Sequence, residues 1–329
     1  MKILITKDEH SRLGFRDKFR KPKWEEDMIH KHEFISQYML DNGIHVKVTT
    51  GDIFDKQKGW SFSQYKENKK IFNIYKKNNQ QIFTIAGNHD YLEGRTNISD
   101  SVFEEYMNLN LIQHIPSYGW GFGDTEIEAN IYGIDYQEDK NLVVREINKI
   151  ISDKKFKEKP AVLVLHSNVT PDPERVTEFT YEELSQYGFK AIICGHYHNG
   201  FETEEINGTI FINPWNLWRV VRDYSVQTGE HIPEFVVLDL QTWEYEHVQI
   251  PYKPYQEVFD LKEIDFYKKI KKETFSFFKS GGFSNLEELK SDDDLESIAG
   301  VIIPKIKEEF NLNEEQLKFI INDLQKRFE

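Results

Sequence analysis

Short apolar runs that each stop on an Asp, Asn or His constrain this chain more than any other feature. Lys2–Thr6 leads into Asp8-Glu9-His10, Ile44–Thr49 into Gly51-Asp52, and Gln81–Ala86 into Gly87-Asn88-His89-Asp90. Further on, Ala161–Leu165 reaches His166-Ser167-Asn168, and Lys190–Ile193 reaches Gly195-His196-Tyr197-His198. The runs are short and rich in β-branched residues, which marks strands; another is expected over Ile127–Ile134. Amphipathic stretches between them predict helices over Trp24–Leu40, Ser61–Lys77, Ser99–Asn108, Asn141–Ser152 and Tyr181–Tyr187. The fold class is therefore α/β. In such a sheet the carboxyl ends of the strands gather on one edge, so residues scattered from position 8 to 198 are expected to converge.

The strand pattern continues to about residue 250. Asn207-Gly208 separates two alternating segments, a hairpin signal, and strands are expected over Pro233–Leu240 and Tyr245–Ile250. At Pro251-Tyr252-Lys253-Pro254 two prolines interrupt the sheet, and the sequence beyond is charged and helical. The expected division is an α/β domain over residues 1–252 and a small C-terminal helical segment over residues 253–329. In that segment Leu317, Ile320, Ile321, Leu324 and Phe328 share one helical face, a packing surface for this chain or for another protein.

Composition narrows the chemistry. No stretch approaches the ~18 to 20 apolar residues of a membrane span, and Met1–Thr6 meets Lys7-Asp8 too soon for a signal peptide. A soluble, cytoplasmic protein without membrane contact is expected. The formal net charge of −14 speaks against broad nonspecific binding to nucleic acid. A single cysteine, Cys194, excludes an intrachain disulfide and any cysteine-based zinc site; inside an apolar run it reads as a small filler. Any metal must be held by His, Asp, Glu or Asn.

The residues at the strand ends suit that task. Asp8, His10, Asp52, Asn88, His166, His196 and His198 offer mixed oxygen and nitrogen donors, suited to borderline ions such as manganese, iron or zinc. Seven donors are too many for one tetrahedral ion, whereas two ions sharing a carboxylate use them naturally, and such a pair is the usual clamp for in-line attack on phosphorus. Asp52, alone after its strand, is the expected bridge. The cofactor expectation is two divalent ions, Mn2+ first, with Fe2+, Zn2+ and Mg2+ as alternatives. His89 follows Asn88 directly, and adjacent residues do not easily ligate one ion. His89 is therefore expected to protonate or stabilise the leaving oxygen, with Asp90 orienting it and raising its pKa.

Taken in order, Asp-x-His, Gly-Asp, Gly-Asn-His-Asp, a lone His and Gly-His-x-His resemble the five signature motifs of the calcineurin-like metallophosphoesterases, over roughly residues 1–250. The resemblance implies a four-layer fold, a β-sandwich flanked by helices. It also implies one ion held by Asp8, His10, Asp52 and His198, and a second by Asp52, Asn88, His166 and His196, with His89 and Asp90 as the catalytic pair. Within the family the chain looks most like the SbcD-type nuclease subunits of double-strand-break repair complexes, which are dimers working with a coiled-coil ABC-type ATPase bound through helices after the nuclease domain. That implies a metal-dependent DNA exo/endonuclease, with residues 253–329 as the docking segment and a homodimer as the assembly. The alternative is a phosphatase or phosphodiesterase acting on small-molecule, nucleotide or protein phosphoesters.

Three features depart from the nuclease pattern. Glu9 replaces an aromatic or small residue, Ser11-Arg12 lengthens the usual His-Leu-Gly, and Asn213-Pro214-Trp215-Asn216-Leu217 replaces a Gly-Ser-Pro segment. Arg12, Arg16, Lys18, Arg20, Lys21 and Lys23 form a basic run directly after the first motif. By itself such a run is a solvated loop; at the mouth of a nuclease site it is expected to contact the DNA backbone. Trp215 and Trp218 read as a packed aromatic corner ahead of a base-stacking platform.

Overall fold

The computed structural model describes residues 1–14, 19–55, 60–92, 98–119, 129–172, 178–217 and 231–265. The elements run in chain order as β1 (Lys2–Thr6), α1 (Trp24–Asp41), β2 (Val46–Thr49), α2 (Phe62–Lys77), β3 (Gln81–Thr84), α3 (Val102–Asn108) and β4 (Gln113–His114). They continue with β5 (Asn130–Ile134), α4 (Lys140–Ser152), β6 (Ala161–Ser167), β7 (Val169–Thr170), β8 (Phe179–Thr180) and α5 (Tyr181–Ser185). The last are β9 (Ala191–His196), β10 (Phe201–Ile206), β11 (Thr209–Asn213), β12 (Glu234–Asp239), β13 (Tyr245–Gln249) and α6 (Tyr255–Val258).

Two sheets result. One has the order β13-β12-β1-β2-β3-β4 and the other β10-β11-β9-β6-β5. The strands that lead into the motifs pair in parallel: β1 with β2, β2 with β3, and β6 with β9. Alternation along each strand sorts side chains into layers. Ile3, Ile5, Val46, Val48 and Phe83 of the first sheet meet Ile131, Val162, Val164, Ile193 and Ile212 of the second, forming the middle of a sandwich. On the outer face of the first sheet, Leu4 and Ile82 pack under Met28, Ile35, Ile71 and Phe72 of α1 and α2. On the outer face of the second, Leu163, Leu165 and Ile192 pack under Val143, Ile147 and Ile150 of α4. Both faces of each sheet are covered, which is why its strands read as unbroken apolar runs.

Helix starts follow local chemistry. Ser61 and Gln64 form a reciprocal cap at α2, and Thr180 and Glu183 do the same at α5. The third helix begins at Val102, later than the Ser99 expected, because the Ser101 side chain caps it by accepting from the Glu104 amide.

The first compact unit extends past Tyr252 to Phe259. Its last residues return to the chain start: Lys21 N–H donates to the Val258 carbonyl at 2.9 Å, and the Arg20 guanidinium lies over the rings of Trp24 and Phe259. A second unit spans Asp260–Glu329. The expected docking helices and the Leu317–Phe328 stripe lie outside the described residues.

Candidate metal centre

Every residue expected at the site arrives at one edge of the sandwich. Asp8 and His10 follow β1, Asp52 follows β2, Asn88, His89 and Asp90 follow β3, His166 lies near the end of β6, His196 closes β9 and His198 follows it. Backbone bonds lock the first two loops together: His10 N–H donates to the Asp52 carbonyl at 2.8 Å and Ser11 N–H to that of Ile53 at 2.6 Å. Packing is so close that a Cβ on Gly87 would collide with Asp52, and one on Gly195 with Thr50. Four of these side chains stand on left-handed backbone, Asp8 and His10 at φ 42°, Asp52 at 47° and His196 at 75°. Such conformations are costly for non-glycine residues and cluster where function fixes side-chain direction.

Asp52 stands at the centre. Its Oδ1 accepts from the His89 backbone N–H at 2.8 Å, which leaves Oδ2 to face 3.4 Å toward His166 Nε2 and 3.7 Å toward His10 Nε2. Two groups of donors meet there, His10-Asp52-His89 and Asp52-His166-His196, with the atoms of each within 4.8 Å of one another. His198 Nε2 lies 3.1 Å from His10 Nε2, and Asn88 Oδ1 lies 3.2 Å from His166 Nε2. Asp8 Oδ1 is 3.8 Å from His166 Nδ1 and accepts from the His196 amide at 3.2 Å.

This arrangement fits cations. Ligands at about 2.0 to 2.1 Å around a tetrahedral ion are separated by roughly 3.3 to 3.4 Å, close to the spacings found. Asp8 Oδ2 and His10 Nδ1 are buried without a hydrogen-bond partner. His166 Nδ1 lies 2.7 Å from the Thr50 carbonyl, which can only accept, so Nδ1 carries the proton and Nε2 offers its lone pair to the centre.

The electrostatics agree. Burial works against charge on His166, yet Asp52 and Asp8 lift its pKa to about 9. Burial would raise Asp52, but His166 and His10 hold it well below the usual carboxylate range. His10 is pushed down to about 4, first by burial and then by His198 and His89, against the pull of Asp52. The pocket thus favours a positive charge near Asp52, while burial keeps His10 and His196 neutral, as ligands must be.

Asp90 takes a different place from the one expected. Its carboxylate accepts from the backbone N–H groups of Gly87 at 2.8 Å, Phe54 at 3.1 Å and Ile53 at 3.4 Å, binding the second and third motif loops to each other. Burial, reinforced by Asp52, raises its pKa to about 7. The partner of His89 is Asp55, whose carbonyl receives Nδ1–H at 2.9 Å. Asp55 also pairs with Arg12 at 3.1 Å and lies 3.9 Å from His10 Nδ1. Its only signal in the sequence is its position three residues after Asp52.

Glu9, an odd residue in the first motif, is explained by a partner inside the fold. It is buried, bonds Thr6 Oγ1 at 2.7 Å, and pairs with the buried Lys47 ammonium at 2.5 Å. Lys47 also contacts the Tyr75 hydroxyl, which bonds His32 Nδ1 at 2.9 Å. The Ser11-Arg12 extension is equally built in. Asn68 on α2 accepts from Ser11 Oγ and Leu13 N–H and donates to the Leu13 carbonyl.

Of the basic run, Arg12 turns toward Asp55, Arg20 is sandwiched by aromatic rings, Lys21 Nζ donates to the Gln256 carbonyl at 2.7 Å, and Lys23 pairs with Glu26. Arg16 and Lys18 lie outside the described residues. Cys194 is fully buried, and burial pushes its thiol up to about 12, in keeping with a filler. Trp215 packs on His231 with ring centroids 5.0 Å apart; Trp218 lies outside the described residues.

Residues 1–200 match the family model described as calcineurin-like phosphoesterase. The chain belongs to the calcineurin-like phosphoesterases. This is a family of binuclear metal hydrolases, and the sandwich with its strand-end site is a calcineurin-like fold. Among solved structures the chain is similar to a dimetal phosphatase from Danio rerio, at 11% identity and a TM-score of 0.44, covering 77% of this chain and 99% of that one. It is also similar to the nuclease MPE from Pseudomonas putida, at 12% identity and a TM-score of 0.27, covering 53% of this chain and 66% of that one. No protein of curated function matches the sequence. No helix among the described residues is long and apolar enough to cross a membrane.

Proposed function

We propose that this calcineurin-like phosphoesterase is a two-metal phosphodiesterase that cuts DNA, working beside a coiled-coil ABC-type ATPase in repair or recombination. The observation that carries the two-metal part is Asp52 Oδ2, placed between His10 and His166 so that one carboxylate serves both donor groups. Asp8, His10, Asp52 and His198 would hold one ion and Asp52, Asn88, His166 and His196 the other. When bound, two divalent ions supply Lewis-acid charge and an activated water to a phosphoester.

The chain's own groups do the rest. The Asp55 carbonyl fixes the ring of His89 by taking Nδ1–H, so that Nε2 is the atom from which a proton reaches the leaving oxygen. Asp90 keeps the Gly87–Asp90 turn registered on Ile53 and Phe54. Support for DNA comes from the motif resemblance and from Arg12, a planar phosphate-binding group held beside His10 and His89 through Asp55. A second reading, a phosphatase or phosphodiesterase for smaller esters, is favoured by Arg20, Lys21 and Lys23 being engaged within the chain.

The test pairs end-labelled duplex DNA with p-nitrophenyl phosphate mono- and diesters, each with Mn2+. Nuclease activity together with diester turnover supports the proposal; monoester turnover with intact DNA, even in the presence of the ATPase, rejects it in favour of the second reading. The partner proposal rests on residues 253–329 as a docking segment, and failure of the full chain to co-purify with such an ATPase would overturn it.

A further inference from the structure

Lys7 is a fully buried cation beside the metal centre that the reaction itself does not use. The residues before it, Ile3, Leu4 and Ile5, are core. Placing an ammonium at the end of such a strand is costly unless all its donors are matched. They are matched: Nζ donates to the Tyr197 carbonyl at 2.8 Å, the Asn199 carbonyl at 3.1 Å and Asn213 Oδ1 at 2.5 Å, three acceptors for three protons.

Two of those acceptors are the carbonyls on either side of His198. That segment lies in the bend between β9, which ends at His196, and β10, which starts at Phe201. The next residue, Asp8, accepts from the His196 amide. Consecutive residues at the end of β1 therefore grip the backbone at both histidines of the fifth motif.

We propose that Lys7 is a positioning residue that sets the peptide planes around His198 and so aims its Nε2 at the ion shared with His10 and Asp52. This rests on the two-ion reading of the site. The geometry makes the effect selective. The second donor group, Asp52-His166-His196, is fixed by Thr50, Asn88 and Asp8, and the three hydrogen bonds of the Lys7 ammonium go instead to Tyr197, Asn199 and Asn213.

The test uses full-length protein stripped of metal, titrated with Mn2+ by calorimetry, comparing wild type with Lys7→Met, which keeps the length and apolar volume but has no donors. Support partners behind metal ligands typically contribute roughly 10- to 100-fold in affinity. The expected result is a loss of that size at one site and less than threefold at the other. In a cycle with His198→Ala, the double variant should be no weaker than His198→Ala alone, because Lys7 acts only through that histidine.

A Lys7→Met protein that melts earlier but binds both ions as the wild type does, or loses both equally, would show that Lys7 merely holds the fold and would overturn the proposal. If Lys7→Met does not fold, Lys7→Gln, with a shorter donor, should show an intermediate loss at the same single site; equal loss at both sites would again refute it. A wild-type protein that binds fewer than two ions would instead sink the two-ion reading itself, and Lys7 would have nothing to aim.

Discussion

Replacing Asp52 with asparagine removes one negative charge from the point where the two donor groups meet. The pKa of His166 sets the size of the effect. Burial depresses His166, yet Asp52, assisted by Asp8 and the Thr50 carbonyl, raises it from 6.5 to about 9. At about 1.4 kcal/mol per unit, that rise is worth roughly 3 kcal/mol in favour of one positive charge at His166, and Asp52 is its largest favourable source. Assigning about 2 kcal/mol to Asp52 and doubling for a divalent ion gives about 4 kcal/mol, or roughly 10³-fold in affinity. The unscreened interaction of unit charges 3.4 Å apart is about 5 kcal/mol at an effective dielectric constant near 20, so the figure is physically reasonable after desolvation. Asp52→Asn should therefore weaken both Mn2+ ions together by roughly 10²- to 10³-fold in calorimetric titration, and in the chelator-treated variant the His166 resonance should titrate at lower pH than in chelator-treated wild type. Retention of two ions within threefold of the wild-type affinity, or loss of one alone, would refute the shared carboxylate.

The remaining predictions address the groups around the centre. His89→Ala should leave two ions bound by metal analysis and lower turnover roughly 10²- to 10⁴-fold; loss of an ion instead would make His89 a ligand, as its place beside His10 and Asp52 permits. Glu9→Ala strands the Lys47 charge in the core and should cost about 3 to 5 kcal/mol in denaturant unfolding, while an apolar pair at positions 9 and 47 should recover most of that loss. The pair His114–Asp135, 2.8 Å apart, sits against the third motif because Asp135 also accepts from the Ala86 N–H. Burial lowers the His114 pKa, but the Asp135 bond and charge carry it above 6.5, so the stabilisation is complete below pH 6.5 and is lost as pH rises through the raised value. His114→Gln should flatten the stability profile across that window, and an unchanged slope would count against the assignment.

Much of the architecture was legible because each strand is both short and covered on two sides, leaving β-branched runs such as Ile3–Ile5 and Val162–Leu165 unbroken. The site was legible because its ligand types stand at the ends of those runs. What stayed hidden has a common cause: it depends on partners distant in sequence. Glu9 looked out of place until Lys47, on the neighbouring strand, supplied its counter-charge. Asp90 was adjacent to His89 in sequence but turned its carboxylate back onto three amides, and Asp55 took over the ring. The basic run looked uniform, whereas tertiary contacts divide it between Asp55, two aromatic rings and a helix carbonyl. Two-residue strands such as Val169–Thr170 and Phe179–Thr180 are too short to leave any periodicity.

The donors come from both halves of the sandwich. Asp8, His10, Asp52 and Asn88 hang from the six-stranded sheet, and His166, His196 and His198 from the five-stranded one. A cation held by these residues would therefore also be a rivet across the seam. Its binding energy adds to cohesion in proportion to the logarithm of its free concentration, so a chelator should not only silence the centre but also let the two layers part at a lower temperature.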